Sequence, residues 1–462
     1  MFNISESEKI LATFLGEQKI TADIDYRPFF YTHSIECDEG LLIVNLLTKE
    51  KIWLSSEEKE YFKTTKSVEN ITVQTLIKKW FLVPTDFDDK KFAEGCSSTK
   101  KVLISSKKSD FITSFTIFTT TDCNARCFYC FEHGSRRINM SDKTAKDVAD
   151  FIIKKSKGHK VHLRWFGGEP LFNSKPIDII SKILSDNNIQ YDAKMVSNGY
   201  LFDDKLIDKA KKEWHIKGVQ ITLDGLEQVY NRIKAFIYKD DISPFIKVTD
   251  NIEALLKANI PVNIRLNFND KNINDIKELV PYLIERYKKY PHCRIPVVVL
   301  NDIINPEITD DAKYKYLCET QMEITKILRE NGMIQPKKIL SDNSSGISCM
   351  ANDDKSTTVL PDGKLGKCEH YLDDNFWGSI YDEKVDHKMI AEFKEYKPKL
   401  PQCNGCKWEY NCGSLKKCEA LKNYCSDYEI SRKEDIINDS LIWEYKQLTN
   451  KSIKESKYET EK

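Results

Sequence analysis

The 462-residue chain has no apolar run approaching the ~20 residues a membrane-spanning helix needs, so no membrane role is expected. Nor does charge of either sign prevail. The 71 Lys and Arg balance 71 Asp and Glu, so no global field favours nucleic acid or an anionic lipid surface. The opening stretch, MFNISESEKILATFLGEQK, lacks a basic start followed by an apolar core. It does not read as a signal peptide, and a cytoplasmic location is expected. No segment repeats at a period of roughly 20–50 residues, and no Gly/Ser linker or low-complexity tract interrupts the chain.

Cysteine, by contrast, is plentiful. There are 14, and seven of them fall between Cys349 and Cys425. In a secreted chain this density would suggest disulfides. In a large Lys-rich chain without an export signal, reduced thiolates binding metal are the better reading. The remaining Cys37, Cys96, Cys293 and Cys318 read as small buried or incidental residues.

Length suggests about three domains, and changes of pattern place their boundaries. Residues 1–100 carry short β-type runs (Phe29–Tyr31, Gly40–Thr48, then Lys51-IWLS) and helical stretches at Ser56–Thr64 and Val73–Lys79. Ser55 or Ser56, followed by Glu57 and Glu58, is a candidate cap. This is a small α+β module of winged-helix type. Asp86–Lys108 reads as a polar linker. From residue 101 to 340 the chain alternates strand and helix. Apolar β-branched runs begin at Phe115, Val161, Lys194, Val219, Val262 and Ile295. Amphipathic segments lie between most of them, including Asp142–Lys157, Ile177–Asn187, Asp203–Glu213 and Ile273–Lys289. Six βα units predict a parallel sheet, a partial (β/α)6 barrel, with chemistry at the strand C-termini. Residues 341–430 are cysteine-rich and turn-rich. Residues 431–462 read as a charged helix and tail.

The first predicted barrel strand runs into Cys123-Asn-Ala-Arg-Cys127-Phe-Tyr-Cys130. Three cysteines without an obvious fourth ligand suit a [4Fe–4S] cluster with one iron open, better than a four-ligand zinc site. This C-x3-C-x2-C loop resembles the signature of the radical S-adenosylmethionine (SAM) superfamily over residues ~111–300. Gly167-Gly168-Glu169-Pro170 is similar to that family's GGEP motif, which implies a hold on the SAM amino group. Ser197-Asn198-Gly199 resembles its ribose-side pocket. Thr222-Leu-Asp224-Gly resembles S-x-D-G, with Thr222 in place of Ser. The resemblance also implies that Tyr129 brings its backbone near the adenine. Arg265 and Asn267 either line the same cavity or face solvent. No residue is assigned an acid–base role.

The C-terminal set, Cys349, Cys368, Cys403, Cys406, Cys412, Cys418 and Cys425, resembles the SPASM extension of peptide-modifying radical SAM enzymes. One spacing departs from it: five residues separate Cys412 from Cys418 where the family has three. The resemblance implies an outer cluster on Cys403, Cys406, Cys412 and Cys425. An inner cluster on Cys349, Cys368 and Cys418 would be one ligand short, for three [4Fe–4S] clusters in all. Structural zinc is the alternative. The N-terminal module resembles the peptide-recognition element of peptide natural-product pathways, where a leader peptide adds as a strand to a sheet edge. A scaffold covering the barrel is the plainer reading.

Together these resemblances imply a maturase of a ribosomally made peptide, cofactors SAM and three clusters, and two partners. Those are a precursor peptide with a leader and an external electron donor of flavodoxin or ferredoxin type. The favoured reaction is a thioether cross-link from a Cys sulfur to a carbon of another residue. The alternatives are carbon–carbon cross-linking, formylglycine formation on a sulfatase, or a non-enzymatic iron–sulfur carrier or zinc scaffold.

Overall fold

A computed structural model of the chain describes residues 2–3, 10–37, 39–105, 109–238, 241–300, 311–334, 349–412, 415–418 and 425–459. The N-terminal part contains β1 (Phe2–Asn3), α1 (Ile10–Leu15), β2 (Tyr26–Pro28), β3 (Thr32–Cys37), β4 (Gly40–Asn45) and β5 (Lys51–Ser55). It continues with α2 (Ile71–Lys78), β6 (Leu82–Pro84) and α3 (Asp89–Ser105). β1, β5, β4 and β3 form an antiparallel sheet in that order, and β2 pairs with β6. The central strand β4, GLLIVN, is buried along its whole length because both of its faces are covered. Leu41 and Ile43 pack on Val73, Leu76 and Ile77 of α2, while Leu42 and Val44 pack on the opposite side with Trp53. This is the two-face alternation of a strand. The Asn70 side chain caps α2 by accepting from Thr72 and Val73 N–H.

Three local expectations fail here. Phe29–Tyr31 is the turn between β2 and β3 and not a strand. Ser56–Thr64 yields only a short 3-10 turn over Glu58–Tyr61. Its start is nevertheless a reciprocal cap, with Ser55 Oγ accepting from Glu58 N and Glu58 Oε2 accepting from Ser55 N. The linker read over Asp86–Lys108 is mostly the helix α3, with its last three residues outside the described set. Gly95 and the serines mask a stripe in which Ala93 and Cys96 are buried and Phe92 packs beside them.

The central part contains β7 (Ser114–Thr120), α4 (Asp142–Ser156), β8 (Val161–Gly167), α5 (Lys175–Asp186), β9 (Tyr191–Ser197), α6 (Asp204–Lys212) and β10 (Ile216–Leu223). It continues through α7 (Glu227–Lys234), α8 (Pro244–Lys257), β11 (Val262–Phe268), α9 (Ile273–Tyr287), β12 (Cys293–Arg294), β13 (Val297–Val299) and α10 (Asp311–Glu330). All six β-type runs become parallel strands in chain order, the sixth split into β12 and β13, which both pair with β11. This is an α/β fold of the expected kind. Helix α8 was not singled out in the sequence. Its Phe245, Val248, Ile252, Leu255 and Leu256 are buried at helical spacing.

The C-terminal part adds β14 (Ser356–Val359), β15 (Lys364–Gly366), β16 (Gly378–Ser379), α11 (His387–Glu392) and α12 (Asp427–Glu459). β14 pairs in parallel with β7 from Ser356 opposite Ser114 to Val359 opposite Ile117, and β15 and β16 continue the sheet antiparallel. The large sheet is therefore mixed. Residues 460–462, the end of the expected tail, lie outside the described set. Helix α12 returns to the N-terminal sheet, where Tyr445 stacks on Trp53 at 4.3 Å and Glu444 pairs with Lys51 at 2.8 Å. Among the described residues, no helix is long and apolar enough to cross a membrane.

Candidate active site

The three cysteines of the first motif sit on the loop leaving β7, and neighbouring strands fix that loop. Thr120 Oγ1 accepts from Asp122 N at 2.9 Å and Asp122 Oδ1 from Cys123 N at 2.8 Å. The end of α7 ties the loop down on its other side. Lys234 O accepts from Arg126 N at 2.8 Å, and Asn124 O from Ile237 N at 2.9 Å. Cys123 Sγ receives Ala125 N at 3.3 Å and Asn198 Nδ2 at 3.6 Å. Burial pushes the Cys123 thiol up to about 12 and the Cys130 thiol up to about 11. Thiolates buried this way persist only with a cation or metal to stabilise them. N–H groups aimed at sulfur suit that bound state, so the donor set fits an iron–sulfur cluster.

Gly167-Gly168-Glu169-Pro170 ends β8 beside this loop. The glycines are needed for the approach of one backbone to another. Gly167 has φ of 122°, and a Cβ there would collide with Thr120 O; one at Gly168 would collide with Asp122 O. Glu169 is fully buried, and both of its oxygens are engaged. Its Oε1 accepts from Leu171 N at 3.1 Å and Ser197 Oγ at 2.9 Å, and its Oε2 accepts from Asn198 N at 2.7 Å. Burial raises its pKa to about 7, against those hydrogen bonds. The carboxylate thus joins the end of β8 to the end of β9. Asn198 then reaches Asn124 Oδ1 at 2.6 Å, which connects both strands to the cysteine loop. Pro170 is buried, and its carbonyl accepts from Thr119 Oγ1 at 3.1 Å.

Thr222 and Asp224, at the end of β10, meet Tyr129 through a residue the sequence reading missed. Lys234 is buried at the end of α7. It donates to Thr222 Oγ1 at 2.6 Å and Tyr129 Oη at 3.0 Å, and pairs with Asp224 Oδ2 at 2.7 Å. Tyr129 Oη donates to the same Asp224 oxygen at 2.8 Å. Burial opposes the ammonium charge, but Asp224 outweighs it and Lys234 stays protonated. The second Asp224 oxygen, Oδ1, is buried without a partner. Tyr230, Ile233 and Lys234 share the inward face of α7. Arg265 donates to Asn267 Oδ1 at 2.8 Å, and its charge acts on Tyr129 and Asp224, so both residues belong to the interior rather than to solvent.

The C-terminal cysteines fall into two groups. Cys349, Cys368 and Cys418 pack around Ala351, Phe393 and Leu415. Cys425 is instead under the influence of Cys403, Cys406 and Cys412. The segment after Cys368 meets the first cysteine loop through one ring contact: Phe131, next to Cys130, lies 4.8 Å from the His370 ring. Among the described residues, no three His, Cys, Asp or Glu side chains converge tightly enough to share a single metal ion. Cys96, Cys293 and Cys318 are buried as small core residues.

A parallel βα sheet whose first strand delivers three cysteines to its C-terminal edge defines a class. Residues 117–283 match the Radical SAM superfamily. Over 169 residues it is 32% identical to an uncharacterized protein of Methanocaldococcus jannaschii, a match covering 36% of this chain and 56% of that one. A GTP 3′,8-cyclase of Clostridium perfringens is 26% identical over 308 residues, covering 58% of this chain and 85% of the cyclase. In fold, the chain resembles anSMEcpe with bound AdoMet (TM-score 0.56, 17% identity, 73% of this chain and 99% of that one). It also resembles Streptococcus suis SuiB bound to S-adenosylmethionine (TM-score 0.50, 15% identity, 86% and 94%).

Proposed function

We propose that the chain is a radical SAM enzyme maturing a ribosomally made precursor peptide, with thioether formation from a Cys sulfur to a carbon of another residue. The observation that carries this reading is the inner group of three cysteines, Cys349, Cys368 and Cys418, where His370, two residues past Cys368, meets the ring of Phe131 beside Cys130. A cluster held by three thiolates has a position left for a substrate sulfur. Fold neighbours support a peptide substrate, since anSMEcpe was solved with a Cp18Cys peptide and SuiB with its precursor SuiA.

In this reading Cys123, Cys127 and Cys130 hold the SAM cluster, and Cys403, Cys406, Cys412 and Cys425 hold an outer one. When bound, SAM and its cluster supply a 5′-deoxyadenosyl radical able to take a hydrogen atom from an unactivated C–H bond. Gly167, Gly168, Glu169 and Pro170 wall the SAM amino end. Glu169 accepts from Leu171, Ser197 and Asn198, which leaves an acceptor site on Oε2 beside the backbone carbonyl groups of the motif. Ser197 and Asn198 flank the ribose, and Tyr129 the adenine. Lys234 spends its three donors on Thr222, Tyr129 and Asp224, and so holds the Tyr129 ring against the end of β10. The N-terminal sheet serves as the leader-recognition module, taking an extended segment at an edge. The donor of electrons is a flavodoxin- or ferredoxin-type protein, and the enzyme works in the cytoplasm.

The test is anaerobic incubation of reconstituted enzyme with SAM, reductant and a candidate Cys-containing precursor, read by mass spectrometry. Loss of a pair of hydrogens that disappears on Cys-to-Ala change in the peptide is expected. Modification surviving that change would move the reading to carbon–carbon cross-linking. Consumption of GTP instead of peptide would move it to the cyclases.

A further inference from the structure

Lys367 immediately precedes Cys368 and is only 4% exposed, a burial that lysine tolerates when its ammonium is engaged. Its Nζ donates to Asp353 O at 2.6 Å and to Ser356 O at 2.7 Å. Both acceptors are backbone carbonyls, which satisfy the donors without cancelling the charge. The neighbouring carboxylates are committed elsewhere. Asp353 accepts from Lys355 N and Ser356 Oγ, and Asp354 pairs with Lys394. Lys367 thus feels both negative charges but bonds to neither carboxylate.

The two carbonyl bonds also fix geometry. Asp353 lies four residues past Cys349, so one ammonium ties the segment after Cys349 to the strand end that carries Cys368. Backbone N–H groups of Ala351 and His370 are directed at the sulfurs of Cys349 and Cys368, an arrangement that suits thiolates ligating a cluster. Burial pushes the Cys349 thiol up and Glu369 adds to it, while Lys367 pulls the other way.

We infer that Lys367 is a positioning residue that holds up the reduction potential of the inner cluster, through a buried positive charge fixed beside Cys349 and Cys368. The inference rests on the reading above in which Cys349, Cys368 and Cys418 hold a cluster. Reduction places one electron, and so one more negative charge, on the cluster; no bond forms or breaks and no proton moves. A fixed ammonium stabilises the reduced form more than the oxidised one, and burial limits screening by water. Loss of that charge lowers the potential.

The test is a dithionite titration of reconstituted full-length enzyme with mediator dyes, followed by electron paramagnetic resonance. The inner signal is the one that Cys418→Ala removes. Wild type is compared with Lys367→Gln and Lys367→Met, which lack the charge, and with Lys367→Arg, which keeps it. In the two uncharged variants the inner potential is expected to fall by about 59 mV or more, a tenfold change in a one-electron equilibrium. Lys367→Arg should stay near wild type, and iron should hold at about 12 atoms per chain in every variant. An unmoved inner potential in Lys367→Gln with its iron retained overturns the inference. A fall to about 8 iron atoms in Lys367→Gln and Lys367→Arg alike overturns it too, because the lysine is then needed for assembly whatever its charge. Wild-type enzyme with about four iron atoms and zinc at the C-terminal cysteines overturns the inner-cluster reading itself.

Discussion

Lys234 and Asp224 form an ion pair with both side chains essentially out of water, so its members cannot be removed singly without stranding a charge. Asp224→Asn is expected to lower stability by about 3–5 kcal/mol, and Lys234→Met by a similar amount. The double variant Asp224→Leu/Lys234→Met should cost less than the two single losses added together, measured by urea unfolding under anaerobic conditions. A gentler case lies at the outer surface. Burial works against the Glu253 carboxylate, but bonds from Lys289 and Tyr290 hold it down at about 2. A depressed native pKa gives stability that is present above about 4.5, the ordinary carboxylate value, and lost as pH falls through about 2. Glu253→Gln should cost about 0.5–1 kcal/mol at neutral pH, because its lysine partners are exposed. That gap should close between pH 4.5 and 2 in thermal melts. Residue by residue, motif positions were legible in the sequence because their types and spacing are chemical necessities. Lys234 was not, because a lysine on an otherwise amphipathic helix looks like a solvated surface charge until its packing is known.

Among elements, legibility followed periodicity. The barrel strands stand out as short β-type runs in which every second residue is buried, as with Val161, Leu163 and Trp165 in β8 and Tyr191, Ala193 and Met195 in β9, and α9 shows because Ile276, Leu279, Leu283 and Tyr287 keep one face. Helix α3 was hidden by its composition, since Gly95 and neighbouring serines are poor helix formers. That weakness makes a prediction. Gly95 has ordinary backbone geometry, and nothing lies within 4 Å of where its Cβ would be. Gly95→Ala should therefore stabilise the protein by about 0.5–1 kcal/mol, seen as a rise in melting temperature with SAM cleavage unchanged. β14 was unreadable for a different reason: a four-residue strand has too little pattern, and its partner β7 lies more than two hundred residues upstream.

Across the whole molecule, Cys418 packs with Cys349 and Cys368 around Ala351, Phe393 and Leu415, while Cys403, Cys406 and Cys412 lie close enough to Cys425 to add to the effect of burial on its thiol. With three cubanes, reconstituted protein should carry about 12 iron atoms per chain with little zinc. Cys418→Ala and Cys412→Ala should each reduce this to about 8, but through different clusters, so their spectra should differ and their effects should add. About four iron atoms with zinc at the C-terminal cysteines would remove the sulfur-binding position from the proposed mechanism. The grouping of Cys418 with Cys349 and Cys368 was already implied by the family resemblance, despite its irregular spacing, and the fold packs the three around Ala351, Phe393 and Leu415.

The strand β14 lies beside β7, and β7 is the strand whose end delivers Cys123. A chain ending at residue 340 would keep every motif of the radical SAM domain yet present β7 as a bare edge, and size-exclusion chromatography should find it aggregated. The boundary at which this chain tolerates recombination is thus displaced from the end of its recognisable motifs. A chimera borrowing a different cysteine-rich region must bring along a strand that fits β7, or else retain residues 356–366 from this chain. Exchange of substrate-handling parts between such enzymes is then constrained by one seam of backbone hydrogen bonds, and relatives built by shuffling should carry that seam as their common graft point.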